Sequence, residues 1–263
     1  MKLDPITRFM VSDAPHERVV VLMYHSIVQT RKTTWPWEIT LTNFSAQLDY
    51  LIDNSINVMP VRKLLERDCP SSGVVITFDD GYANNMSAAN LLHERGLSAT
   101  WYVVSKDIGG SSSWARGAEP VLPMLTQGEI KDLDEMGMEI GAHSRSHCDL
   151  ILQLPQIIKD EVHGSKQDLE NILSKAVDSF AYPYGRFDQG IVEMVRQAGF
   201  RSACSTRCGR YRPEEDKFQI RRVSVFGSDS LSTFARKLVF ADNNVSWPKM
   251  VRYMLRQVTG GVA

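Results

Sequence analysis

Two neighbouring acids, Asp79 and Asp80, stand at the end of the apolar run 74–78 and directly before Gly81, in "VVITFDDGY". Carboxylates this close repel each other, and burial sharpens the repulsion unless a cation intervenes. Within a regular strand the two would face opposite ways. At a strand's end, with Gly81 free to adopt unusual dihedrals, both can turn toward one mouth. The stretch "EIGAHSRSHCDL" offers the partners: His143 and His147 are four residues apart, so one helical turn would set both imidazoles on one side. Two imidazoles and one carboxylate make a facial set for zinc or another divalent ion, with positions left for water and substrate. Such an ion lowers the pKa of a bound water to about 7, and a second acid beside it can take that water's proton. Singly, these residues have plainer readings, as a solvated acidic turn and as hydrogen-bonded structural histidines. Together, in a chain with six histidines, they favour metal-assisted hydrolysis.

The elements that must position these groups alternate along the chain. "RVVVLMYHSI", "GVVITFDD", "SATWYVV", "MEIGAH", "DSFAYPYG", "RSACS" and "QIRRVSVF" read as strands. Between them lie helical patterns: "LTNFSAQLDYLIDN" with Phe44, Leu48, Leu51 and Ile52 on one face, "ANNMSAANLLHERG" closed by Gly96, and "TQGEIKDLDEMG" with Thr126 and Glu129 in capping-box register. Residues 156–175 read as one long, mostly polar helix, and "DQGIVEMVRQAGF" as a helix capped by Asp188. Alternating strands and helices predict a parallel sheet, open or closed into a barrel. In barrels, chemistry gathers at the carboxyl ends of the strands. His25, Asp79–Asp80, His143 and Tyr182–Tyr184 all fall where a strand runs out.

Composition excludes other classes. The 263 residues carry 30 Lys and Arg against 31 Asp and Glu, which gives nucleic acid no electrostatic case. No glycine-rich nucleotide-binding motif follows any strand. The first residues hold charges and prolines where a signal peptide needs an apolar run, and 19–24 is too short to span a bilayer, so a cytoplasmic protein is expected. Cys69, Cys148, Cys204 and Cys208 show no tight disulfide pattern and are expected to be reduced.

"TFDDGY", "HSRSH" and "AYPYG", in that order, resemble the polysaccharide deacetylases of carbohydrate esterase family 4, and "ATWYVV" and "LTQGEIKDLDEMGMEIGAHS" extend the likeness. The resemblance implies an α/β fold, a distorted (β/α)7-type barrel over 19–227, hydrolysing N-acetyl groups of amino sugars. It implies Asp79 as general base, and Asp80, His143 and His147 as ligands of one divalent ion, most simply Zn2+, with Co2+ or Ni2+ as substitutes. It further implies that the Tyr184 backbone N–H helps hold the oxyanion and that Leu150 lines the pocket for the acetyl methyl.

Two departures modify this. The family's third motif usually carries an arginine before its proline–tyrosine pair, where this chain has Ala181 and Tyr182, and no histidine follows His163 to serve as the usual acid. Both fit the circularly permuted branch, which includes the biofilm poly-N-acetylglucosamine deacetylases and places the acid-bearing strand first. By that resemblance His25 protonates the departing amine, and Arg222, favoured over Arg221 by strand register, replaces the missing arginine beside Asp79.

Other features are assigned around this frame. Trp35 and Trp37 in "TTWPWEIT", and Trp114 in "GGSSSWARG", are candidates to stack on sugar rings, or else to cap the barrel. His16 and His93 read as surface residues. Residues 1–18 form an N-terminal extension, and 228–263 a C-terminal helical extension packed on the barrel. The latter's basic, amphipathic "SWPKMVRYMLRQV" sets Trp247, Met250, Val251 and Met254 near one face, either docked or resting on a membrane surface. The expected substrate is an N-acetylated sugar, saccharide, or nucleotide- or lipid-linked precursor. The alternatives are hydrolysis of another small amide or cyclic imide on the same fold, or a non-catalytic carbohydrate-binding relic.

Overall fold

The structure, a computed structural model, describes residues 2–12 and 19–258. Helix α1 (Pro5–Ser12) precedes strand β1 (Val19–Tyr24), and β2 (Ser26–Val28) and β3 (Glu38–Thr40) form a small parallel pair around the Trp35–Trp37 loop. There follow α2 (Leu41–Asp53), β4 (Val58–Met59), β5 (Gly73–Phe78), α3 (Met86–Glu94), β6 (Thr100–Val103), α4 (Gln127–Glu135) and β7 (Glu139–Ala142). Then come α5 (Pro155–Lys159), α6 (Ser165–Leu173), β8 (Ser179–Ala181), α7 (Gln189–Gln197), β9 (Ser202–Cys204), β10 (Val223–Ser224), α8 (Leu231–Phe240) and α9 (Trp247–Val258).

Strands β1 and β5 are apolar almost throughout and buried at every position, as parallel strands covered on both faces must be. The main sheet runs β10-β1-β5-β6-β7-β8-β9, every pair parallel. Strand β4 pairs with Val74 and Val75 of β5, and β6 with Thr77 and Phe78, so the two share one edge of β5 in succession. The sheet curls on itself: Ile220 bridges to Cys204 of β9 while Val223 and Ser224 pair with β1. This is the expected distorted (β/α)7-type barrel, with the N-terminal strand set between β10 and β5.

Local signals place the helices. Thr40 caps α2, and Thr126 and Glu129 make both bonds of the capping box on α4. In α2, Phe44, Leu48 and Leu51 are buried, but Ile52 is 44% exposed, because the face set by 44, 48 and 51 turns it outward. The helix expected over 156–175 is present as α5 and α6 running together through a π-helical segment, Asp160–Gly164, whose Glu161 is buried. The extensions pack on each other: the Asp4 backbone N–H donates to Ser232 Oγ, and Arg236 of α8 pairs with Asp4. In α9, Met250 is buried whereas Trp247, Val251 and Leu255 are exposed, so the expected single apolar face is divided. His16 lies outside the described residues.

Candidate active site

Asp79 continues the sheet ladder, its backbone N–H donating to Tyr24 O. The chain then turns sharply, with Asp80 at φ 75° and Gly81 at φ 85°. A Cβ on Gly81 would lie 3.0 Å from Val103, so this turn suits glycine for space as well as for its positive φ. The turn separates the fates of the two acids. Asp79 receives a two-pronged bond from Arg222, Nη1 and Nη2 at 2.6 and 2.7 Å from its carboxylate oxygens. Arg222 is fully buried and also donates to Ser205 O and Thr77 Oγ1. Burial alone would raise Asp79; the guanidinium, with His143, outweighs it and holds the carboxyl below the usual carboxylate range.

Asp80 faces the histidines. Its Oδ1 lies 3.4 Å from Nε2 of both His143 and His147, and among the described residues this buried oxygen has no hydrogen-bond partner. One helical turn was the expected route to this meeting; the structure uses a loop instead. Ser144 at φ 59° and His147 at φ 53° fold it back, and Ser144 Oγ accepts the His147 N–H. Glu161 holds the loop from outside, accepting from the backbone N–H groups of Arg145 and Ser146 and from Ser146 Oγ. His143 Nδ1 is bonded to Ala181 O at 2.8 Å. Since a carbonyl only accepts, Nδ1 carries the proton and Nε2 is left to face Asp80. Burial pushes His147 down to about 3, whereas Asp80 and Asp79 outweigh burial and raise His143.

One ligand atom from each of Asp80, His143 and His147 lies within 4.8 Å of the others. The group fits a divalent ion: its nitrogen and oxygen donors are buried, one tautomer is fixed, and Asp80 Oδ1 has no hydrogen-bond partner among the described residues.

These residues floor a cavity of about 390 Å³ whose wall includes His25, Trp35, Trp37, Tyr184, Thr206 and Glu119. His25 is partly buried at the end of β1, its ring 4.2 Å from that of Trp37 and its Nδ1 without a partner. Asn85 braces that corner, donating to His25 O and accepting from the Ile27 N–H. Burial lowers His25, with Asp80 and Asp79 offsetting part of the fall. Tyr184, at φ 58°, is half exposed at the rim with its ring 4.6 Å from His147. Trp114 is nearly buried, packs 4.7 Å from His147, and joins Trp35 and Tyr82 in a small apolar cluster. Leu150 is fully buried in the main core and does not contribute to the cavity wall, which corrects its expected position. Motifs gave no sign of Glu119, Glu161, Thr206 or Ser224. A second hollow, of about 180 Å³ between α1, α2 and α8, is largely apolar and lies at the amino ends of β1 and β5.

The polysaccharide deacetylase family model matches residues 66–203, just over half of the chain. The chain belongs to the polysaccharide deacetylase family. This deacetylase-family chain is 26% identical over 239 residues to YxkH of Bacillus subtilis (strain 168), covering 89% of itself and 80% of that protein. Among solved structures it resembles BC0361, a polysaccharide deacetylase from Bacillus cereus, at 25% identity and a TM-score of 0.73, covering 84% of this chain and 69% of that one. IcaB from Ammonifex degensii shares the fold at a TM-score of 0.71 and 23% identity, covering 85% and 97%. Among the described residues no helix is long and apolar enough to cross a membrane.

Proposed function

We propose that this family member is a metal-dependent hydrolase that removes the N-acetyl group from an amino sugar of a saccharide. The observation that carries this reading is the unpartnered, buried Asp80 Oδ1 between two imidazole nitrogens, beside an acid already neutralised by arginine. Asp80, His143 and His147 would hold the ion, with zinc the first choice for this donor set. Such an ion would supply Lewis acidity at the acetamide carbonyl and lower the pKa of a bound water toward neutrality, so that it could be deprotonated there. Asp79 takes the water's proton, and Arg222 keeps that carboxylate ionised and aligned. The Tyr184 N–H, at the rim, donates to the oxyanion. His25 gives its proton to the departing nitrogen, so that acetate and a free amine leave. Trp35 and Trp37 at the cavity wall offer aromatic surface to a sugar ring, whereas Trp114, nearly buried against His147, takes the barrel-capping role that was its other reading. Residues 19–227 would form the catalytic barrel, and the exposed Trp247, Val251 and Leu255 of α9 support contact with a membrane surface.

The test is acetate release from N-acetylglucosamine oligomers with zinc, cobalt or nickel added, together with metal analysis of variants. Asp80→Asn, His143→Ala and His147→Ala are each expected to lose bound metal. His25→Ala is expected to keep it while turnover falls by about 10²–10⁴-fold. Full metal content in the first three variants would overturn the ligand set, and unchanged turnover in the fourth would overturn the acid.

A further inference from the structure

Among the described residues, the cavity wall contains three carboxylates, Asp79, Asp80 and Glu119, and neither lysine nor arginine. Arg222, fully buried, is spent on Asp79, and Asp80 sits between the imidazoles. Glu119 is left over. It belongs to a loop closed by the Ser111–Pro123 bridge, by bonds between Ser112 and Leu122, and by the Ala83 N–H donating to Pro123 O. Trp114, in the same loop, packs on His147, so the loop is seated on the ligand set itself. The buried Tyr82 donates its hydroxyl to Glu119 Oε1 at 3.3 Å. The nearby Arg116 turns its guanidinium to the Ser113 and Ala115 carbonyls. The carboxylate is thus half-buried, held in place and hydrogen-bonded to a neutral group.

A carboxylate so placed repels phosphate, and its best complement is a cation carrying N–H donors. In an amino-sugar chain that cation is the ammonium left where an acetyl group has been removed. Resting on the deacetylase reading above, we propose that Glu119 is a specificity residue. It receives the ammonium of an already de-N-acetylated sugar next to the unit being processed, and it selects partly deacetylated saccharides over fully acetylated ones. Each turnover adds water to an acetamide and yields acetate and one further ammonium group, so the protein reads a mark of the kind it makes.

The experiment compares two N-acetylglucosamine tetramers, one fully acetylated and one bearing a single free amine, in wild type and in Glu119→Gln. The amide oxygen of Gln can still accept from Tyr82, so the loop is kept. The wild type should favour the amine-bearing tetramer in kcat/KM by about tenfold, the usual weight of one charge-assisted bond. Glu119→Gln should bring that ratio close to one, and raised salt should shrink it in the wild type. Binding of a glucosamine tetramer, followed by tryptophan fluorescence, should weaken by a similar factor in the variant. An equal ratio in both proteins, or binding untouched by the substitution, overturns the proposal. If neither tetramer releases acetate, the deacetylase reading fails, and the binding comparison still decides the role of Glu119.

Discussion

At the scale of single residues, the pair Asp79–Arg222 is where charge and burial are balanced most tightly. Two ions taken from water into a core are stable only with good geometry and satisfied hydrogen bonds, and both conditions hold here. Arg222→Met leaves Asp79 buried without its cation, and about 3–5 kcal/mol of stability should go with it, read from urea unfolding. Adding Asp79→Asn to that variant should restore part of the loss, because no unpaired charge remains. A double variant less stable than Arg222→Met would show that the cost comes from packing rather than charge. Strand register together with resemblance to the permuted branch favours Arg222 over Arg221; alternation by itself says only that the two neighbours face opposite ways. Arg221 pairs with Glu215 instead.

At the scale of elements, the histidine loop depends on a residue from another helix. Glu161 comes from the π-helical segment between α5 and α6 and accepts three hydrogen bonds from residues 145 and 146. Groups that orient metal ligands from behind typically govern affinity by about 10–100-fold. Glu161→Ala should therefore weaken zinc binding by that factor in a chelator competition, with the barrel still folded; unaltered affinity would remove Glu161 from the site's support. Helix α1 offers a pH test. Asp4 accepts the backbone and hydroxyl bonds of Thr7, and these, with Ser232 and Arg236, outweigh partial burial and lower its pKa to about 2. A depressed carboxyl stabilises the folded state fully above its unfolded pKa, and that contribution fades as pH falls through the folded value. Asp4→Ala should cost about 1 kcal/mol at pH 6. The difference in melting temperature from wild type should narrow as pH falls below about 4 and disappear near the folded value.

At the scale of the molecule, the C-terminal extension braces the wall of the cavity from behind. Lys237 of α8, buried, donates to Ser224 O at 2.9 Å and pairs with Asp229, while Asn243 accepts from the Ser224 N–H. Ser224 lines the cavity, and Phe234 of the same helix is fully buried. Ending the chain after Gly227 should remove several kcal/mol of the roughly 5–15 that hold a domain folded. A 1–227 fragment is expected to aggregate or to unfold at much lower urea. A fragment with the full-length midpoint would make the extension separable from the barrel.

The order of the main-sheet strands and of the helices between them, the caps at Thr126 and Asp188, and the family were legible in the sequence alone, whereas α1, β2, β3 and β4 were not. Each is written in residues close together along the chain: an apolar run, a capping pair, a motif. The sequence also singled out Asp80, His143 and His147, but it suggested a helical turn where the structure has a loop with two left-handed residues. Backbone of that kind at serine and histidine leaves no mark in the spacing, because it is held in place by Glu161 from a distant turn. Which hydrophobic residues line the cavity and which lie beneath it was likewise a tertiary decision, as Leu150 shows. Glu119 belongs to no motif; only the folding of its loop against Tyr82 and His147 brings that charge to the mouth. Local chemistry is set by neighbours in sequence, whereas the field inside a cavity is set by residues that meet only once the sheet has curled.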